Sequence, residues 1–326
     1  MTGAATLRAL GARLRGADRA VLAAIGCNVL LLIAGALYDA NFLSLDYLLL
    51  QLQVASFLGV IATGVLLVVL LGHIDLSIPW VVTLGGMMST ATAGHTGIVG
   101  SLAIPVAIAC GAGFGIANGI GVAYLRVPSM IFTLATNTIA QGLMVVHTGG
   151  FAPQDHATPA MHFLAVERTI PGIPNAVWVW AALGGATVAM LRRTGFGRRI
   201  YAIGNGERAV YLSRGHVGRV VIACFAISGA CSAFAGVLLA GYSTKAYQAM
   251  GDPYLLSAIA AVVLGGANIL GGRGSYLGTV AGVILVTLLQ SILSIAQISD
   301  AGRQVIYGTV IIAMLLAYGR RPKGVS

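Results

Sequence analysis

Polar side chains recur at one-turn spacing within an apolar stretch of this chain, and they are its strongest candidates for chemistry. Thr133, Asn137 and Gln141 follow one another at intervals of four residues, so a helix would present their hydroxyl and amide groups on one face. Such groups either bind a neutral polar solute or hydrogen-bond to neighbouring helices, because amides buried in lipid need partners. The sequence leaves both interpretations open. Gln51 and Gln290 are further candidates for lining a pathway.

Residues for catalysis or metal binding show no comparable pattern. The 4 Cys lie in apolar runs without CxxC or Cys/His spacing, and the 6 His lack an HxxxH pairing. The chain has no GxxxxGK[ST] sequence, so we expect it to have no ATPase motif of its own. It also has no cluster of His, Asp and Glu that a membrane-embedded enzyme would need. The sequence therefore predicts a protein that is not an enzyme and has no metal site.

A long basic segment, about residues 192–219, has the features of a docking loop. It is longer than a connector between two helices needs to be. The stretch that begins at Glu207 is typical of a short helix, and Tyr211 and Leu212 give this otherwise basic segment an apolar tip. Such a helix either lies on lipid or docks in a partner's groove. We favour docking on a partner.

Two further segments carry glycine or a rare acid. The glycines of Gly271–Gly274 do not fit a phosphate-binding pattern and instead favour a tight turn between two membrane helices. Asp75 and Ser77 precede a helix that we expect to begin near Ile78, with Pro79 early in it. The sequence predicts that Asp75 caps this helix, and an ionic contact with a basic loop is the alternative.

These candidates lie in a chain with the composition of a polytopic membrane protein. Hydrophobic residues make up 58% and charged residues 9%, which leaves too little polar surface for a water-soluble body. Ten apolar stretches approach the length that a bilayer requires, and the third, sixth and tenth are short enough to be re-entrant or half-spanning. The predicted spans are Ala20–Leu37, Leu48–Gly72, Ile78–Ala93, Ile98–Leu125, Met130–His147, Ala176–Leu191, Val220–Gly241, Tyr254–Leu270, Leu277–Ile295 and Val305–Gly319.

Charge orients these spans. With a cytoplasmic N-terminus and ten alternating spans, sixteen of the 19 Lys and Arg lie on the inner side, as positive-inside topology requires. This predicts cytoplasmic N- and C-termini, a basic arm at 1–19, a transmembrane domain at 20–319 and a basic tail at 320–326. The net charge of +10 is then topological and does not indicate a nucleic-acid partner.

The predicted spans differ in what they contain. No charged residue falls in the middle of any of them, which argues against a proton-driven pump. Gly111, Gly115 and Gly119 recur one turn apart in the fourth span, and this spacing favours close helix contact over a hinge.

Four motifs, in order along the chain, resemble the inner-membrane permeases of ribose/xylose-type bacterial ABC sugar importers. The first is a Gly-Gly-Ile-Asp-Leu-Ser-type motif at Gly72–Ser77, in which His73 replaces the second glycine. The others are Asn118–Thr136, Thr194–Arg198, and Ala258–Gly266 leading into Gly271–Ser275. The resemblance covers roughly residues 45 to 320.

This resemblance implies an all-α polytopic fold of about ten transmembrane helices in the bacterial inner membrane, and a division of labour. A periplasmic sugar-binding protein would deliver the sugar, and two permease chains, identical or paralogous, would form the pathway. A separate cytoplasmic ATPase would bind ATP, so this chain would need no cofactor. The implied ATPase-coupling residues are Gly204, Asn205, Glu207, Arg208, Tyr211, Leu212, Ser213 and Gly215. The implied cytoplasmic motif residues are Asp75, Ser77, Gly271, Gly272, Arg273 and Gly274. The alternative function is a stand-alone secondary transporter of a neutral solute.

Overall fold

The computed structural model describes residues 21–37, 40–94, 98–151, 154–170, 172–212, 215–299, 301–306, 308–309 and 312. The predicted basic arm and tail, and most of the tenth predicted span, lie outside these residues. The described part of the chain forms helices and two isolated β-bridges, which is the secondary structure of an all-α polytopic membrane protein.

Thirteen α-helices and one short 3-10 helix (Ala40–Leu43) follow one another along the described chain up to residue 295, and residues 301–306 are helical as well. The α-helices are α1 (Val21–Leu37), α2 (Leu45–Leu70), α3 (Ile78–Ala93), α4 (Ile98–Ser101), α5 (Ala103–Ala123), α6 (Ser129–Thr148), α7 (Pro159–Ala165), α8 (Asn175–Arg193), α9 (Gly195–Asn205), α10 (Glu207–Leu212), α11 (Val217–Ser243), α12 (Tyr254–Leu264) and α13 (Tyr276–Ile295). Among the described helices, α2, α5, α6, α11 and α13 are long and apolar enough to cross a membrane.

Helix α11 is the centre of the bundle, and glycine permits its close contacts. A Cβ on Gly115 would overlap the carbonyl oxygen of Phe225, and Gly111 and Gly119 on the same face of α5 are equally close to α11. Since backbone lies against backbone there, the prediction of a close helix contact is confirmed. Gly113 faces away from this contact, with nothing within 4 Å of an added Cβ.

The connection between α2 and α3 enters the bundle instead of crossing its surface. Helix α2 ends in a left-handed turn at Gly72, whose φ is +83°, with the His73 N–H donating to the Val68 carbonyl at 3.2 Å. Residues 73–77 then run without helical structure until α3 begins. Asp75 lies beside Ser228, the twelfth residue of α11 and about 16 Å along that helix. Helix α3 therefore starts deep inside the bundle.

A second interruption reaches the same region from the other direction. After α11 ends, residues 244–253 run back into the bundle. There Gly251 packs against the carbonyl oxygen of Pro79, in the first turn of α3. The Gly251 N–H donates to the Thr83 hydroxyl at 3.2 Å, and Met250 beside it is buried. Helix α12 then has only 11 residues, about 16 Å, which is half of a bilayer core.

These interruptions refine the predicted spans. The third predicted span matches α3 in its bounds, and its shortness reflects an internal start. The eighth was predicted to continue to Leu270, but α12 ends at Leu264, because Gly265 and Gly266 turn the chain and Gly266 has φ of +90°. The described chain has basic residues at one end of the bundle, around α9 and α10, which we call the basic end. The opposite end, around α7, we call the acidic end.

Candidate transport and coupling site

The polar face predicted at Thr133 and Asn137 lies on α6 and holds the interrupted segment between α2 and α3. The face begins one turn earlier than predicted, at Ser129, and its side-chain oxygens accept hydrogen bonds from backbone N–H groups. The three bonds run from Ile74 to Ser129 at 3.2 Å, from Leu76 to Thr133 at 2.9 Å, and from Trp80 to Asn137 at 3.2 Å. These are interhelical contacts of the kind that the sequence analysis left open beside a pathway role.

The spacing of the first two hydrogen bonds has a simple geometric origin. Four residues of helix rise about 6 Å, and two residues of extended chain advance about 6.6 Å. Ser129 and Thr133 therefore meet N–H groups two residues apart, whereas Asn137 meets an N–H four residues further on, in the first turn of α3. Without these acceptors the segment would leave backbone donors unpaired inside a membrane, where water cannot replace them.

Asp75 organises a second set of contacts at the start of α3. Its carboxylate accepts hydrogen bonds from the Ser77 N–H at 3.0 Å, from the Ser77 hydroxyl at 2.6 Å and from the Ser228 hydroxyl of α11 at 3.0 Å. The residue is buried. No ion pair forms between Asp75 and a basic loop within the described chain, so the alternative of an ionic contact is wrong. The predicted helix cap is also wrong, because Asp75 accepts from the N-cap residue Ser77 and not from an N–H of α3, whose N-cap makes no side-chain capping hydrogen bond.

Two more polar residues connect this cluster to α5 and α6. The Asn118 amide donates to the Ser77 hydroxyl at 2.8 Å, and its oxygen accepts from the Thr136 hydroxyl at 2.6 Å. Asn118 is fully buried, so these bonds satisfy an amide that has no access to solvent. The start of α3 is thus tied by side chains to α5, α6 and α11. Asn118 and Ser228 were missed as site residues, because lone polar residues in apolar runs give no spacing signal.

The remaining pathway candidates lie in different places. Gln141 is exposed on α6, beyond the contacts with the interrupted segment. The Gln51 amide donates to the Ser291 hydroxyl at 2.9 Å, and the Gln290 amide donates to the Ser257 hydroxyl at 3.0 Å. Both glutamines therefore connect helices, α2 to α13 and α13 to α12. The structure does not bring the three side chains together.

At the basic end, the three glycine-containing segments singled out from the sequence meet. The Gly272 N–H donates to the Leu70 carbonyl at the end of α2 at 2.9 Å, and the Asn205 amide donates to the Gly272 carbonyl at 3.1 Å. A Cβ on Gly204 would overlap the same Leu70 oxygen. Gly271 has φ of +88° and packs against Gly72 and Gly204, so a side chain there would be both strained and obstructed. We call this junction the inner platform: the ends of α2 and α9 with Gly271–Gly274.

Tyr201 of α9 adds a further contact to the inner platform. Its hydroxyl donates to the Gly274 carbonyl at 2.9 Å. Burial raises the pKa of the Tyr201 hydroxyl, and the charge of Arg192 opposes that shift without being its largest cause. The hydroxyl therefore remains a donor at neutral pH. The neighbouring Arg273 has an exposed side chain, and its carbonyl accepts from the Asn268 N–H at 2.8 Å.

Helix α10 projects from the inner platform with none of its residues buried. Glu207 pairs with Arg126, in the connection between α5 and α6, at 2.7 Å. Tyr211 and Leu212 are 66% and 82% exposed, as the predicted apolar tip requires. Arg208 is exposed beside them. The other predicted residues are Gly215, whose N–H donates to the Val210 carbonyl at 2.9 Å, and Ser213, which lies outside the described residues.

Comparison with known proteins gives a consistent picture. The family described as "Branched-chain amino acid transport system / permease component" matches residues 47–315. The ribose import permease protein RbsC of Haemophilus influenzae is 31% identical over 89% of this chain and 90% of its own length. RbsC of Bacillus subtilis is 34% identical, over 90% of each chain. The autoinducer 2 import system permease protein LsrC of Escherichia coli is 28% identical, over 90% of this chain and 84% of its own. No solved structure matches.

Proposed function

The chain belongs to the ribose-type family of ABC importer permeases, and we propose that its transported solute is a sugar or a sugar-like neutral molecule. It is a multi-pass protein of the inner membrane. Its relatives are the permease subunits of their transport systems and not the subunits that hydrolyse ATP. The relatives named for ribose and for autoinducer 2 support a sugar-like solute. The scarcity of charged residues in the spans also favours a neutral cargo, although Asp75 is buried among them.

A separate ATPase supplies the energy in this proposal, and it docks on α10. The supporting observation is the inner platform, where the ends of α2 and α9 are joined backbone to backbone while α10 projects with its apolar tip exposed. Because the base of α10 is fixed to α2, a displacement of α10 would be transmitted to α2. The predicted coupling residues, from Gly204 to Gly215, thus divide into a base in contact with α2 and an exposed tip.

The remaining partners follow from the same orientation. The basic end faces the cytoplasm, as positive-inside topology requires, with both termini on that side. The acidic end, with Asp155 and Glu167, faces a periplasmic sugar-binding protein. A second permease chain, identical or paralogous, completes the pathway, since closed two-fold pairs are the commonest assembly. ATP binds to the ATPase partner, and no nucleic acid is involved.

Purification from the native membrane in mild detergent tests this proposal. We expect a double-domain ATPase to copurify and to be identified by mass spectrometry. Replacing Leu212 by Ala should reduce the recovered ATPase and slow sugar uptake, because it removes an apolar contact from the tip. Leu37→Ala on α1 is the matched control, since Leu37 is 85% exposed and Leu212 82%.

Opposite results would favour the secondary transporter. If the chain purifies alone and transports a solute into ATP-free liposomes under an ion gradient, the ABC proposal is wrong for this protein. If Leu212→Ala and Leu37→Ala behave alike, while the ATPase copurifies with both, docking on α10 is wrong and the importer assignment stands.

A further inference from the structure

A small cavity beside the inner platform contains basic side chains that the coupling proposal does not use. It lies between α9 and the start of α11, and its lining residues are Phe196, Arg199, His216, Arg219 and Val220. The cavity is therefore lined by two guanidinium groups, one imidazole, one aromatic ring and one aliphatic side chain. None of the lining residues is acidic.

The two arginines have no carboxylate partner within the described chain. The ion pairs there are Arg126 with Glu207 and His162 with Glu167, so Arg199 and Arg219 remain available to an external anion. Guanidinium groups bind the oxygens of phosphate groups in a bidentate manner, which makes paired arginines suited to a phosphodiester.

The first turn of α11 adds to the positive field. His216 occupies the N-cap position and makes no capping hydrogen bond with its side chain. The positive end of a 27-residue helix therefore opens towards the cavity without an internal acid or hydroxyl to neutralise it. This end strengthens anion binding by the arginines and is not sufficient without them.

The position of the cavity selects the kind of anion. Helix α9 begins at Gly195, directly after α8 ends, and α11 is one of the helices long enough to span a membrane. The cavity lies where α11 begins at the basic end, and in the proposed orientation this is the level of the lipid headgroups. Phe196 is half-buried and Val220 is buried, so the floor is apolar while Arg199 and Arg219 are exposed at the rim. An amphipathic ligand fits this arrangement better than a free ion does.

We propose that this cavity binds the phosphodiester headgroup of an anionic phospholipid from the inner leaflet. This inference rests on the proposed orientation, in which the basic end faces the cytoplasm. The lipid would hold α9, and with it the base of α10, against the start of α11. A coupling helix anchored in this way would depend on the lipid composition of the membrane.

The test compares lipid binding by the full chain and by two charge-matched variants in detergent. The probe is dioleoyl phosphatidylglycerol, with phosphatidylcholine as the neutral reference, and bound lipid is counted by native mass spectrometry. The first variant replaces Arg199 and Arg219 by Gln. The control replaces Arg192 and Arg193 by Gln, since these arginines belong to the same basic segment and do not line the cavity.

We expect preferential binding of phosphatidylglycerol by the unmodified chain and by the control. The cavity variant should lose about 25-fold in affinity, because each of the two arginines near a membrane surface contributes about fivefold. Inorganic phosphate at millimolar concentration should not displace the lipid. Displacement would identify free phosphate as the ligand and overturn the lipid assignment.

Three other outcomes would overturn it as well. One is binding without any preference for the anionic lipid, and another is an equal loss of that preference in both variants through general surface charge. The cavity variant could also keep its lipid preference and lose a copurifying ATPase instead, which would make the cavity a partner contact. Since lipid binding is measured on the isolated chain, its failure is distinguishable from a failure of the transport proposal.

Discussion

Removing the carboxylate of Asp75 should destabilise the fold more than any other single change to an acidic residue in the described chain. The carboxylate accepts three hydrogen bonds, two from Ser77 and one from Ser228 of α11. At about 1 kcal/mol for each hydrogen bond, Asp75→Ala should lower the free energy of unfolding by about 3 kcal/mol. The loss falls at the start of α3, where the Ser77 N–H has no water to replace its acceptor.

A conservative variant separates hydrogen bonding from shape. Asp75→Asn keeps one acceptor oxygen for Ser77 and places an amide donor beside the Ser228 hydroxyl, which can accept a hydrogen bond. We expect it to recover most of the stability that Asp75→Ala loses. Asp155→Ala at the exposed acidic end is the control, with a change within about 0.5 kcal/mol.

Reversible unfolding in mixed micelles with increasing fractions of denaturing detergent would measure these differences. The chain would be purified identically for each variant, and helical circular dichroism would follow the transition. An Asp75→Ala variant as stable as the unmodified chain would refute the account of α3, because three buried donors would then have lost their acceptor without cost.

Three further perturbations test other parts of the structure. Gly115→Leu should destabilise the chain by at least about 1–3 kcal/mol, because the new side chain forces α5 away from α11. Gly113→Leu, on the open face of α5, is the control and should leave stability unchanged. Thermal unfolding of both variants measures the difference. Asn137→Leu should reduce the yield of folded chain, since it leaves a backbone N–H at the start of α3 unpaired at about 1–3 kcal/mol; normal yield with impaired uptake would instead assign Asn137 to the pathway. Arg126→Glu and Glu207→Arg should each slow uptake, and their combination should restore it, with unfolding changed by less than about 1 kcal/mol because the pair is exposed.

Local patterns in the sequence were sufficient for the all-α class and for the residues of close contact between α5 and α11, although not for every helix end. The small-residue spacing at Gly111, Gly115 and Gly119 requires only one helix to interpret, and the structure has that helix and that contact. The apolar tip of α10 is likewise a local property of Tyr211 and Leu212, and both are exposed. Periodicity within a segment is enough for such predictions, because the signal and the structure occupy the same residues.

The partners of polar residues required the three-dimensional structure. The face at Thr133 and Asn137 was recognised as polar, but its hydrogen-bond donors are backbone N–H groups 57 residues earlier in the chain. Backbone groups have the same chemistry in every residue, so nothing in the sequence marks those of Leu76 and Trp80. Asp75 was recognised as a rare acid, and its partner Ser228 is 153 residues away.

The two interruptions of the bundle explain why these long-range contacts are concentrated around α3. Helices α3 and α12 are both short, and their first turns approach each other where Gly251 meets Pro79. From there α3 runs to the acidic end and α12 to the basic end, so the two half-length helices meet at a junction inside the bundle. A continuous helix satisfies its own backbone, whereas two half-length helices leave their first N–H groups inside the membrane.

Side chains accept the N–H groups around the start of α3 in place of helical carbonyls: Asp75 accepts from Ser77, and Asn137 accepts from Trp80 in the first turn. In the inner platform, the Gly272 N–H donates to the carbonyl of Leu70 at the end of α2, only five residues before Asp75. If an ATPase docks on α10 as proposed, a displacement of α9 and α10 would reach the α3 junction through a few residues of non-helical chain. Side-chain hydrogen bonds can exchange partners without unwinding a helix, so this junction is the part of the described bundle best suited to move during transport.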